Sequence, residues 1–300
     1  MMREMFDLTR RQFLAGSASV VSSGAVASAA RHEKPDSVFR GVTIGAQSYS
    51  FRDRDVWAAI DGYREIGLSS CELWSGHLER TPDGKRRDRE DLRKWREMVD
   101  LAEIEKVGEA FRKAGVDLYA LNYSFRDDFS DAEIERGFEM AKAIGAKVLT
   151  ASSNVSTARR IDPVAKKHDL RVGMHNHSRI HHNEFATPAD FENAMRGTSH
   201  IAINLDIGHF TAAGFDPVSY LDERHDDIVT LHIKDRRKDQ GANVEFGDGD
   251  TPIREVFRVL ANRKSTIPAN IEYEYRLPDT MAEMERCFQY CRAAVLSRGF

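Results

Sequence analysis

Cysteine is scarce in this chain. Three residues in 300 (Cys71, Cys287 and Cys291) cannot build a disulfide framework, and no Cys-x-x-Cys pair is present for a zinc ribbon or a redox site. Cys287 and Cys291 are four apart and share one helix face, as plain thiols would. A basic field is also lacking: 44 Lys and Arg stand against 48 Asp and Glu, a formal charge of -4, which argues against a nucleic-acid partner. No glycine-rich phosphate loop follows the first strand, because GVTIGAQ has the wrong spacing for a dinucleotide. What remains is a hydrophobic content of 41%, enough for one large core in one domain.

The N-terminus reads as an address. Thr9-Arg10-Arg11-Gln12-Phe13-Leu14 precedes a mild apolar run that closes on Ala27-Ser28-Ala29, a small-residue cleavage pattern. The order of these features resembles a twin-arginine signal peptide, which export machinery reads and which does not anchor the chain. The run is too short, and too diluted with Ser and Gly, for a membrane span. Residues 1–30 are therefore expected to be an export signal cleaved near Ala29 or Ala30, residues 31–40 a linker, and residues 41–300 one catalytic domain working in the periplasm.

From residue 42 onward, short apolar runs alternate with helical segments. Strands are expected at 42–49, 69–73, 117–122, 147–150, 171–174, 201–205, 228–232 and 267–273. One helix is expected to run through the charged segment 79–95 to Ala114, with the charges on a solvated face. The crossover before strand five is expected to be helical only over 164–168, after Pro163. Eight strand–helix repeats with no second domain predict a closed (β/α)8 TIM barrel, an α/β fold.

Barrel enzymes place their chemistry where strands end. Four late strands end in polar groups: His175 in VGMHNH, Asp206 in NLDIGH, His232 in LHIKD and Glu272 in IEYEY. Two imidazoles and two carboxylates suit one divalent ion, Mn, Co, Fe or Zn in preference to Mg. Glu272 could ligate through one oxygen and also move the proton, and Glu274, two residues on and on the same face, is an alternative acid or base. Glu72, inside CELW, points opposite to its apolar neighbours and is expected at the mouth as an alternative acid or base. His177 and His209 could bond a ligand or the substrate. Lys234 could stabilise charge on a substrate oxygen, or could simply pair with Asp235. The predicted chemistry is isomerisation or epimerisation of a sugar or polyol ketone through a metal-stabilised enediolate. A metal-dependent lyase, dehydratase or keto-glycoside-cleaving enzyme is the alternative on the same intermediate, and a non-enzymatic carbohydrate-binding barrel is a third. A homodimer is compatible with any of these.

Glu72 in CELW, HNH at 175–177, DIGH at 206–209, HIKD at 232–235, FGDGDTPI at 246–253 and IEYEY at 271–275 together resemble the sugar phosphate isomerase/epimerase superfamily, the xylose isomerase-like barrels. That group includes inosose dehydratase-like and ketose epimerase-like members. The resemblance implies a metal held by Glu, Asp, His and Glu, with the two glutamates as the acid/base pair. Asp206, His232 and Glu272 match the last three. His175 stands where the first glutamate would be, and a metal-bound imidazole cannot also be the proton-transferring carboxylate. No arginine cluster for a phosphate is evident, although Arg126, Arg236 and Arg237 could reach the mouth.

Overall fold

The computed structural model describes residues 34–275 and 278–297. The paired arginines and the Ala-Ser-Ala pattern of the expected signal lie outside the described residues, as do residues 31–33 of the expected linker.

Eight parallel strands follow one another round a closed barrel: β1 (Val42–Gln47), β2 (Ser70–Trp74), β3 (Asp117–Asn122), β4 (Val148–Ala151), β5 (Val172–His175), β6 (Ile201–Asp206), β7 (Ile228–Ile233) and β8 (Ala269–Ile271). Each pairs with the next, and β8 returns to β1 with Ile271 opposite Ala46. The helices are α1 (Val56–Ile66), α2 (Arg89–Met98), α3 (Leu101–Ala114), α4 (Asp131–Ile144), α5 (Ala158–His168), α6 (Pro188–Met195), α7 (Ile207–Ala212), α8 (Pro217–Glu223), α9 (Ile253–Asn262) and α10 (Thr280–Leu296). The TIM barrel expected from the alternation is the fold observed. None of these helices is long and apolar enough to cross a membrane.

Local chemistry sets the helix ends. The Asp55 carboxylate accepts from Ala58 N to start α1, and Gly67 stops it at a φ of 90°. Reciprocal capping boxes, Ser130 with Glu133 and Thr187 with Asp190, start α4 and α6. Three expectations are corrected. The single helix through Ala114 is two helices, because Val99 turns extended (ψ 135°) and Asp100 caps a fresh start on Ala102 N. Helix α5 begins at Ala158 and carries Pro163 inside it, so the chain forgoes one helical hydrogen bond instead of waiting for the proline to begin the helix. Residues 38–39, expected in the linker, pair antiparallel with β1, with Val38 opposite Thr43.

The main apolar core lies between strands and helices. A small second apolar cluster, Ala120, Val148, Ala202 and Val229, is contributed by four of the barrel strands. Above that cluster the interior turns polar, and there the site is built.

Candidate metal centre

Strands β5, β6 and β7 each deliver one buried polar group at the mouth end, His175, Asp206 and His232, and Glu272 follows directly on β8. One ligand atom from each of the four lies within 4.8 Å of all the others. One ion with bonds of about 2.0–2.2 Å spans roughly 4.0–4.4 Å between opposite donors, so the cluster is close to the size of one coordination sphere. His175 Nδ1, Asp206 Oδ2, His232 Nδ1 and Glu272 Oε2 are all buried without an aligned hydrogen bond; His232 Nδ1 lies 3.0 Å from Glu272 Oε2, and Lys234 Nζ lies within ion-pair distance of both carboxylate oxygens. Four buried ligand-type atoms crowded round one point fit a cation, as does a buried His175 Nδ1 with no partner of its own. The donor set of two imidazoles and two carboxylates is the mixed N/O set that borderline divalent ions prefer.

Without an ion, the electrostatics of the four groups differ. Burial pushes His175 well below the usual imidazole range, helped by His232 and His177, which favours the neutral form that a metal ligand needs. Burial raises Asp206 to about 6, against the pull of Lys234. Burial acts upward on Glu272 too, but Lys234 and His232 hold it well below the carboxylate range. His232 is lifted well above its ordinary value, because the Glu72 and Glu272 carboxylates overcome its burial.

Glu72 is corrected from its expected place. It is fully buried inside the barrel, not at the mouth, and both oxygens are engaged. Oε1 accepts from Thr150 Oγ1 at 2.7 Å and from His232 Nε2 at 2.9 Å, and Oε2 accepts from Asn270 Nδ2 at 3.2 Å. A carboxylate so placed orients an imidazole; it has no free edge for a substrate.

Lys234 is corrected likewise. It is 2% exposed, and its Nζ lies 3.0 Å from Asp206 Oδ2, 2.6 Å from Glu272 Oε2 and 2.7 Å from Glu274 Oε2. Only the contact with Glu274 has hydrogen-bond alignment among these three; the other two are ion pairs by proximity. The ammonium thus balances three carboxylates and is not presented to the mouth as a free cation. It does not pair with Asp235, whose carboxylate accepts from Gly247 N, Gly249 N and Thr251 N and pins the 240–251 loop. That loop reaches the mouth through Asn243, which donates to Glu274 Oε2 at 3.3 Å.

His209 is also held: its backbone N–H donates to Asp206 Oδ1, and its ring meets Arg236 Nη1 at 2.6 Å and Lys234 Nζ at 3.2 Å. Arg236 therefore does reach the site, but as a partner of His209. His177 stays open to the mouth and makes no side-chain hydrogen bond among the described residues; burial, then Lys234, lowers it into the neutral form. It lines a cavity of about 230 Å³ with Glu272, Glu274, Tyr49, Trp74 and Asn122. A larger hollow of about 600 Å³ lies between α5 and α6, but none of the four convergent ligands lines it.

The sequence profile of the xylose isomerase-like TIM barrel family matches residues 60–291. The chain belongs to that family. Its solved neighbours include a 3-keto-D-glucoside 4-epimerase from E. coli, 17% identical, with a TM-score of 0.64 over 84% of this chain and 99% of that one. A sugar phosphate isomerase/epimerase from Parabacteroides distasonis is 17% identical, with a TM-score of 0.62 over 87% and 96%. A Bacillus anthracis protein described as a 3-DHS dehydratase of petrobactin synthesis is 14% identical, with a TM-score of 0.63 over 83% and 98%. At such identities the likeness is one of fold. No curated protein sequence matches the chain.

Two parts of this xylose isomerase-like site escape a motif reading. Asn176, between the two histidines of HNH, accepts from Asp206 N at 2.9 Å and donates to Asp206 O at 3.1 Å, so it fixes the ligand strand. Gly208 in DIGH lies against Lys234: a methyl there would stand 2.4 Å from Lys234 Cγ and 2.8 Å from its carbonyl oxygen. The available signal was a polar or glycine residue amid apolar neighbours, as with Asn204, Thr230 and Asn270 inside their strands.

Proposed function

We propose that this protein is a divalent-metal-dependent enzyme that isomerises or epimerises a sugar or polyol ketone. The observation that carries the reading is the convergence of four buried ligand-type atoms, two of whose residues, His175 and Glu272, line one small polar cavity with two proton-carrying side chains, Glu274 and His177. His175, Asp206, His232 and Glu272 would hold the ion. When bound, the ion supplies Lewis-acid polarisation of adjacent substrate oxygens, which acidifies the C–H between them.

The remaining steps belong to side chains. Tyr49 and Trp74, in edge-to-face contact with ring centroids 5.1 Å apart, form an aromatic wall for the C–H face of a sugar ring. Asn122 and Gln47 offer hydrogen bonds to hydroxyls at the same cavity. Glu274, on the β8 side, is placed to take or return a proton at carbon, and Lys234 and Asn243 fix its Oε2. His177, neutral and beyond β5, is the second carrier, the role that a glutamate in place of His175 would otherwise fill.

The His175 position also favours a second reading, elimination. With one carboxylate fewer in the cluster, proton removal by Glu274 and protonation of a departing hydroxyl or glycoside oxygen by His177 would give a lyase or dehydratase. The twin-arginine-like leader adds that the enzyme works in the periplasm, where oxidised sugars and keto-glycosides are suitable candidates.

The test is incubation of Mn²⁺- or Co²⁺-loaded protein with a panel of keto-sugars in D₂O, followed by NMR and mass spectrometry. Deuterium at the carbon beside the carbonyl, in a product isomeric with the substrate, supports the first reading. Loss of water or of an aglycone supports the second. Binding without exchange or product in a fully metallated sample defeats both and leaves a carbohydrate-binding barrel.

A further inference from the structure

The charged run after β2 looks solvated in sequence, yet it folds into an ordered turn beside the mouth. Thr81 N donates to Lys85 O and Lys85 N to Thr81 Oγ1, both at 3.0 Å, and Gly84 supplies the left-handed residue at a φ of 79°. Arg80 folds back across the turn, donating to Gly84 O at 2.7 Å and to Arg52 O at 3.2 Å. Against this turn lies a second cavity of about 200 Å³, walled by Trp74, Gly76, Arg80, Arg86 and Arg87. Trp74 walls the mouth cavity as well, so the two hollows meet at one indole. Gly76 is what lets the indole lie there: a methyl at that position would be 2.2 Å from the ring.

The guanidiniums around this hollow are not fully matched by acids. Arg87 donates to Asp91 Oδ2 at 2.8 Å, but its buried Nε has no partner. Arg80 donates only to carbonyls, and its Nε is likewise buried and unpartnered. Arg86 is exposed and makes no ion pair among the described residues. The one carboxylate in the wall, Glu79, is occupied by Arg96 through Nε at 2.9 Å and Nη2 at 2.8 Å. The two buried Nε atoms present no surface to the hollow, so what Arg80, Arg86 and Arg87 can offer it is their forked Nη ends, which match oxyanions in both geometry and charge.

We propose that this hollow is a second subsite, and that it takes an oxyanion, a carboxylate or a phosphate, carried on the part of the sugar remote from the reacting carbonyl. It rests on the reading of the mouth as a sugar-ketone site. The ring lies over Trp74, the keto end faces Glu272 and Glu274, and the anionic end meets Arg80, Arg86 and Arg87. An arginine cluster that no sequence motif announces thus becomes the specificity element of the site.

The test is calorimetric titration of Mn²⁺-loaded protein with D-glucuronate, D-glucose 6-phosphate and D-glucose. Wild type, Arg86→Ala, Arg86→Ala/Arg87→Ala and Asp206→Ala are compared, with melting curves to confirm folding. At least one charged sugar should bind about tenfold or more tightly than glucose, the value expected for one added charge-assisted contact. The preference should weaken with salt and fall about tenfold in the double arginine variant. Which charged sugar is favoured separates carboxylate from phosphate. Equal binding of charged and neutral sugars, or a preference that survives in the double variant, overturns the subsite. Should the metal reading alone fail, a parallel Mn²⁺ titration finds no binding to wild type while the charge preference remains, and the subsite stands. Should the subsite alone fail, neutral keto-sugars are turned over and charge confers nothing.

Discussion

Glu72 Oε1 and His232 Nε2 stand 2.9 Å apart, both buried, although 160 residues separate them in the chain. The contact fixes which nitrogen of His232 faces the cluster: with Nε2–H donated to the carboxylate, Nδ1 is left toward Asp206 and Glu272. The carboxylate–imidazole pair is the usual means of orienting a metal-ligating histidine and raising its basicity.

Glu72→Gln tests that relationship. The substitution keeps shape and an acceptor but removes the charge that supports His232. Metal affinity should fall by about 10- to 100-fold while the barrel stays folded. Competition against a chelator of known affinity measures it, and an unchanged affinity would remove Glu72 from the centre.

Glu274→Gln separates proton transfer from metal binding. Glu274 lies outside the four-atom cluster, so metal content should remain as in wild type. Exchange of solvent deuterium into substrate should fall by about 10²-fold or more. An unaltered exchange rate would eliminate Glu274 as the carrier on the β8 side.

The barrel wall offers a prediction for pH. The Glu133 carboxylate is buried, and it meets Arg89 at 2.7 Å, Arg93 at 3.2 Å and Arg96 at 3.4 Å. Burial alone would raise it, but Arg89, Ser130 N and Arg96 hold it down at about 2 against an ordinary 4.5. A depressed acid contributes stability that is complete above the unfolded value and is lost as pH falls through the folded one. Unfolding free energy should therefore drop as pH falls from about 4.5 toward about 2. In Glu133→Gln this slope should flatten, and neutral-pH stability should be lower by about 2–3 kcal/mol, since two of the arginines keep part of their hydration. Parallel acid titrations by circular dichroism would show no difference between the two proteins if the cluster were idle.

Much of this was legible in the residues. The four ligand candidates and the barrel follow from polar residues ending apolar strands, because strand ends at one rim are neighbours whatever their separation in sequence. Glu72 was misplaced because alternation tells which face a residue takes but not how deep in the barrel it lies. Lys234 was misjudged for a related reason: a flexible side chain can turn inward, and only the clustering of Asp206, Glu272 and Glu274 makes that turn favourable. Arg80, Arg86 and Arg87 looked like surface charge because nothing in a charge run reveals a turn that folds it back over Trp74.

The most direct measurement is elemental analysis of wild type and Asp206→Ala, purified without added metal or chelator. About one Mn, Fe, Co or Zn per wild-type chain, and little in a folded Asp206→Ala variant, is the result expected. A folded wild type that holds no metal and takes none up, or an Asp206→Ala protein that keeps a full equivalent, would contradict the metal centre on which the proposed chemistry depends.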